Sequence, residues 1–150
     1  MTETEGIHRF QVSAAWSGDA LGSGKAELPE GPAIGFAGST LLGGSGGRAN
    51  PEELLLAALA ACFLNTWAIF LKKLGLGLAE PTLRASCELG KDPAGGYRLQ
   101  KATLHVRVPA SLLAARRADV EKTLSLAEKY CIISKVVRAA IPLEVAVEET

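Results

Sequence analysis

The chain has 150 residues, 48% of them hydrophobic, and its 16 basic and 16 acidic residues cancel to a formal net charge of zero. That length is expected to make one domain, residues 1–150, with enough apolar content for a sizeable core. Balanced, interspersed charge leaves no field to draw nucleic acid or an anionic membrane. The opening MTETEGIHRF lacks the basic-then-apolar layout of a secretory signal, so a cytoplasmic protein is expected.

Residues 8–16, HRFQVSAAW, put Phe10, Val12, Ala14 and Trp16 on one face, the pattern of a half-buried strand. A turn-rich stretch follows, with a short second strand expected around Lys25 to Leu28. Residues 35–49, GFAGSTLLGGSGGRA, read as a mobile loop; they have neither the spacing nor the lysine of a phosphate-binding loop. A long helix is predicted over 51–74, closed by Gly75 and Gly77. Its run LLLAALAACFLNTWAIFL at 54–71 approaches the roughly 20 apolar residues of a membrane span. Its alanine content, the polar Asn65 and Thr66 and the strands beyond favour instead the central helix of a globular body, covered on every face.

Residues 82–89 alternate, with Leu83, Ala85, Cys87 and Leu89 inward, and KDPAGG turns this strand into YRLQKATLHVRV. There Ala102, Leu104, Val106 and Val108 share a face, so a hairpin is expected. An amphipathic helix over 111–130 uses Val120, Leu124 and Ala127, IISKVVRAA adds a second helical piece after Cys131, and PLEVAVEE closes as a strand. Strand runs broken by helical blocks indicate an α+β fold.

At the start of the long helix, Asn50 suits the N-cap, Pro51 the first helical position and Glu53 the capping-box position. Glu52 has no capping duty beyond favouring the helix dipole. Cys62 lies about three turns inside; a buried thiol there is an inert small hydrophobe unless a neighbouring Arg or Lys favours its thiolate. Cys131, flanked by Lys129 and Lys135 just before a helical stretch, stands where orphan N–H groups favour a thiolate, or simply caps and packs. Cys87 reads as core, and His8 and His105 as solvated surface without partners. An odd cysteine count without export signal argues against a disulfide framework, and no close Cys or His pairs have zinc spacing.

NPEELLLAALAACF together with the later AEKYCIISKVVRAAI resembles the paired signature of the OsmC/Ohr family, and the order of elements matches over nearly the whole chain. The resemblance implies an OsmC-like fold: two antiparallel sheets around a buried central cysteine helix, in an intertwined homodimer. It implies a thiol peroxidase for organic hydroperoxides that needs no cofactor or metal, with a lipoylated protein or another thiol as reductant. Cys62 would attack the peroxide and Cys131 resolve the sulfenic acid as a disulfide, with Leu59, Phe63 and Trp67 as an apolar wall. Glu52 matches the glutamate that orients an active-site arginine. Ten helical residues span about 15 Å, so Glu52 can serve the site of Cys62 only from a partner chain, or if the helix begins later. The places where the family keeps that arginine hold SGDALGSGK and Leu42 here, which leaves Arg48 as the candidate, ahead of Arg9 and Lys25. Two further functions compete: a non-catalytic stress protein binding a small hydrophobic ligand in the dimer cleft, and a general dithiol–disulfide exchanger, which the lack of Cys-x-x-Cys disfavours.

Overall fold

The computed structural model describes residues 6–150. They form two compact units that meet within one helix, the first ending at Leu54 and the second running Leu55–Thr150.

The first unit carries a three-stranded antiparallel sheet of β1 (Ser13–Ser17), β2 (Ser23–Glu27) and β3 (Ile34–Phe36), then a 3₁₀ turn at Thr40–Leu42. β3 falls inside the stretch expected to be a loop. It can pair because Gly24 lies opposite Phe36, and a Cβ on Gly24 would run into the Phe36 ring. The expected burial of the first strand does not occur. All of β1 is exposed, and Phe10 and Val12, at 89% and 63% exposure, precede the strand rather than belong to it. Alternation makes a face able to be buried; among the described residues of this unit no helix packs on that face.

Helix α1 (Pro51–Lys73) starts on the expected capping box: Asn50 Oδ1 accepts from the Glu53 N–H at 2.9 Å, and Glu53 Oε2 accepts from the Asn50 N–H at 3.4 Å. It ends in a Schellman turn at Gly75, φ 65°, with Leu76 N–H donating to Leu71 O and Gly75 N–H to Lys72 O. Although α1 is long and apolar enough to cross a membrane, only 22% of its most apolar window is buried. The expectation of cover on every face therefore fails. One stripe is buried, Leu59, Phe63, Trp67 and Leu71, spaced one turn apart.

That stripe belongs to the core of the second unit. β4 (Thr82–Lys91) and β5 (Tyr97–Val108) form the predicted antiparallel hairpin, and Ala102, Leu104, Val106 and Val108 are all buried. Leu83, Ala85 and Cys87 pack against the same cluster, but a register shift between Glu88 and Leu89 leaves Leu89 37% exposed. Helix α2 (Ala110–Tyr130) adds Val120, Leu124 and Ala127, and helix α3 (Ile132–Ala140) adds Val137. Trp67 Nε1 donates to Thr123 Oγ1 at 3.0 Å, which donates on to Val120 O at 2.7 Å, so the indole and hydroxyl are both satisfied at zero exposure. Each fully buried large side chain of this cluster contributes roughly 1.5–3 kcal/mol.

The last strand, β6 (Leu143–Glu149), pairs parallel to β5, so the second sheet is mixed rather than antiparallel throughout. The direction follows from the connection: α2 and α3 carry the chain back across before β6 begins, as parallel pairing requires. His105, expected to be unpartnered, faces Glu148 with Nδ1 3.3 Å from Oε1. The α+β architecture of two small sheets and three helices otherwise stands as read.

Candidate active site

Cys131 occupies a one-residue joint. Its N–H closes α2 on Ala127 O at 2.8 Å, its backbone turns extended at φ −68°, ψ 113°, and α3 begins at the next residue. Its side chain takes the N-cap role usually filled by Ser, Thr, Asp or Asn, Sγ accepting from the Ser134 N–H at 3.4 Å. Cys131 is fully buried.

Cys62 lies in the middle of α1, half-buried against the core, one turn before Thr66, whose hydroxyl donates to the Cys62 carbonyl at 2.8 Å. The fold brings its sulfur to the Cys131 thiol and to the start of α3. Burial raises the pKa of Cys62, but donation from the Ile133 N–H, the Cys131 thiol, the Ile132 N–H and the Thr66 hydroxyl outweighs it, and the net shift is downward. Thr66 has a single proton, mostly engaged by the carbonyl, so the N–H and S–H donors do most of this. Cys131 moves the other way: burial raises its thiol, the adjacent Cys62 sulfur raises it further, and the Ser134 donors offset only part. Of the two, Cys62 is thus the thiol that ionises more readily and Cys131 the one that holds its proton more tightly. Neither is in a disulfide.

Within the chain the lowering comes from groups that the sequence reading did not name: the first backbone N–H groups of α3, at the positive end of its dipole, stand beside Cys62. Those donors serve Cys62, while the next N–H of the helix, that of Ser134, serves Cys131. Sequence reasoning missed Ile132, Ile133, Thr66 and Ser134. The available signal was the helix start immediately after Cys131, read only for Cys131 itself. Leu59, Phe63 and Trp67, expected as a substrate wall, are 0–1% exposed and belong to the core.

The two charged candidates lie in the first unit. Arg48 is exposed, its guanidinium laid over Gly35, where an added Cβ would stand 2.7 Å from Nη1. It lines a cavity of about 410 Å³ with Lys25 and Trp16. Glu52 is half-buried, its Oε2 shut off from solvent with no hydrogen-bond partner among the described residues. No ion pair joins Arg48 to Glu52 among those residues. The structure therefore unites Cys62 with Cys131, but not Arg48 with Glu52.

A two-sheet α+β chain with its central helix and late helix start presenting two thiols to each other defines a class, the OsmC-like thiol proteins. Residues 44–146 match the family described as OsmC-like protein, and the chain belongs to that family. It is 31% identical over 103 residues to organic hydroperoxide resistance protein-like 1 of Staphylococcus epidermidis, a match covering 69% of this chain and 71% of the relative. Among solved structures it resembles an organic hydroperoxide resistance protein OsmC from Legionella pneumophila, with TM-score 0.75, 23% identity and 95% and 99% of the two chains covered. It also resembles the organic hydroperoxide resistance protein OhrB of Bacillus subtilis, with TM-score 0.70, 20% identity and 93% and 98% covered. At those identities the two structures speak for the fold.

Proposed function

We propose that this chain is a cysteine-based peroxidase that reduces organic hydroperoxides in defence against peroxide stress. One observation carries the reading: the Cys131 thiol and the N-terminus of α3 adjoin Cys62, and its pKa lies below the ordinary thiol value. A thiolate is the form that attacks peroxide, and a thiol within contact is what a sulfenic acid needs to condense. Cys62 Sγ attacks one oxygen of R–O–OH; the S–O bond forms, the O–O bond breaks, and the alkoxide leaves as alcohol after taking a proton. Cys131 Sγ then attacks the Cys62 sulfenic acid, the S–S bond forms, and water departs with the hydroxyl. A dithiol, of which a lipoylated protein is the proposed source, returns the two electrons.

The names of the staphylococcal relatives support the hydroperoxide substrate. The family match crosses the break between the two units, which supports a single OsmC-like domain over residues 1–150. Helix α1 runs unbroken from Pro51, so ten residues, or about 15 Å of rise, separate Glu52 from Cys62 along it. Glu52 and Arg48 are therefore proposed to act across an intertwined homodimer, each on the thiol pair of the other subunit. The exposure of Phe10, Val12 and Leu41 supports such an assembly. Reduced thiols fit a cytoplasmic setting.

The test is stoichiometric consumption of cumene hydroperoxide by the reduced protein, with a Cys62–Cys131 disulfide identified by mass spectrometry afterwards. Undiminished consumption by Cys62→Ser removes the peroxidase reading.

A further inference from the structure

Ser134 has a role that peroxide reduction alone does not assign. It is fully buried in the first turn of α3, and its N–H already holds Cys131 Sγ. Its hydroxyl oxygen is shut off from solvent with no hydrogen-bond partner among the described residues. A helical serine commonly donates to the carbonyl one turn back, and a buried hydroxyl left unpaired is unfavourable. The hydroxyl nevertheless stands near enough to Cys131 Sγ to lower that thiol's pKa, short of a completed bond. The pocket thus keeps an uncommitted donor beside one sulfur of the pair.

The two sulfurs also differ in access. Cys62 is half-buried and Cys131 wholly buried, so an external thiol can reach only the Cys62 side of a disulfide between them. Attack there makes Cys131 the leaving group, and a thiolate released into a buried site leaves slowly unless donors receive it.

Resting on the peroxidase reading, we propose that Ser134 is a positioning residue for the reductive half-cycle: its hydroxyl receives the Cys131 sulfur as it leaves the disulfide under attack at Cys62. An incoming thiolate R–S⁻ bonds to Cys62 Sγ and the Cys62–Cys131 bond breaks. The electron pair passes to Cys131 Sγ, which is held by the Ser134 N–H and O–H and then protonated from solvent. The second thiol of a dithiol reductant displaces Cys62 from the mixed disulfide. The reductant ends as its own disulfide and the protein as the dithiol.

The experiment uses the full chain oxidised to the disulfide with diamide, opened with glutathione, quenched in acid and alkylated for peptide mass spectrometry. In the wild type glutathione is expected on Cys62 and the alkyl group on Cys131. Ser134→Ala should slow opening about tenfold, the scale of one hydrogen bond to a charged sulfur, with glutathione still on Cys62. Ser134→Thr and Ser134→Val share a shape and differ in the hydroxyl; Thr should behave as wild type and Val as Ala, which a packing effect would not produce. Glutathione on Cys131 in the wild type, or identical rate and pattern in Thr and Val, overturns the proposal. Diamide forms the disulfide without peroxide, so the expected adducts in a protein that consumes no hydroperoxide would uphold Ser134 and overturn the peroxidase reading.

Discussion

The two sheets are built from strands of similar alternation and meet opposite fates. In β5 the apolar side chains from Ala102 to Val108 are 0–3% exposed, within one cluster shared with α1 and α2. In β1 every residue is exposed, including Trp16 at 46%, although Trp16 stacks at 6.0 Å on Phe36 of the same sheet. A strand pattern offers a face, and a neighbouring element decides whether that face leaves water. Among the described residues the second unit has three helical segments to cover its sheet, and the first has a 3₁₀ turn and the opening turn of α1. The second unit also brings both thiols together, while the first contains the charged candidates Arg48 and Glu52, which no ion pair joins among the described residues.

If chemistry belongs to the second unit, the largest effect comes from Cys62→Ser, which should end stoichiometric hydroperoxide consumption altogether; retained consumption would break the division of roles. Next in size is stability. Leu104→Ala removes a side chain of zero exposure and should cost about 2–5 kcal/mol in urea unfolding. Phe10→Ser, at a site 89% exposed, should change the stability of the separate chain by no more than about 0.5 kcal/mol. A large loss in the Phe10 variant at micromolar protein, vanishing on dilution, would show that the first sheet finds its cover in a second copy.

A subtler change tests the donors at the thiol. Ile132 is the first residue of α3, 69% exposed, and Cys131 before it is already extended, so Ile132→Pro fits the backbone while deleting one N–H directed at Cys62. With that donor gone the pKa of Cys62 rises. The thiolate is the reactive form, so the acid limb of the rate-against-pH curve must move to higher pH. Below that limb the loss should be roughly ten- to a hundredfold, the worth of one hydrogen bond to a charged acceptor. An unmoved limb would return the activation of Cys62 to some other group.

What could be read in advance divides along the same line. The hairpin of β4 and β5, the capping box at Asn50 and the stripe of α2 are local patterns, periodic or a few residues long, and they were legible. So were the two thiols, through the motifs around them. The donors to Cys62 were not: an N–H has no letter of its own, and those of Ile132 and Ile133 lie far along the chain from Cys62. The strand β3 was hidden for a related reason. A glycine-rich stretch reads as loop, and its pairing depends on empty space at Gly24 of another strand. The direction of β6 likewise follows from the crossover helices, not from PLEVAVEE.

The smallest effect predicted separates two glycines of the first sheet. Gly24 lies beneath the Phe36 ring, and an added Cβ would also stand 2.8 Å from the Ala15 carbonyl oxygen, which is backbone and cannot swing aside. Gly24→Ala should therefore part β2 from its neighbours and cost about 1–3 kcal/mol, as overpacking does. At Gly35 the only close obstacle is the end of the flexible Arg48 side chain, and the site is a strand position where alanine loses less backbone entropy than glycine. Gly35→Ala should leave urea unfolding within about 0.5 kcal/mol of wild type while displacing the guanidinium. Peroxide turnover in this variant then reports on the position of Arg48 without a confounding loss of fold. A drop there, with Cys62 still fully alkylable, would mean that the first unit supplies the thiol pair with its charge, and unchanged turnover would leave the catalytic groups within the second.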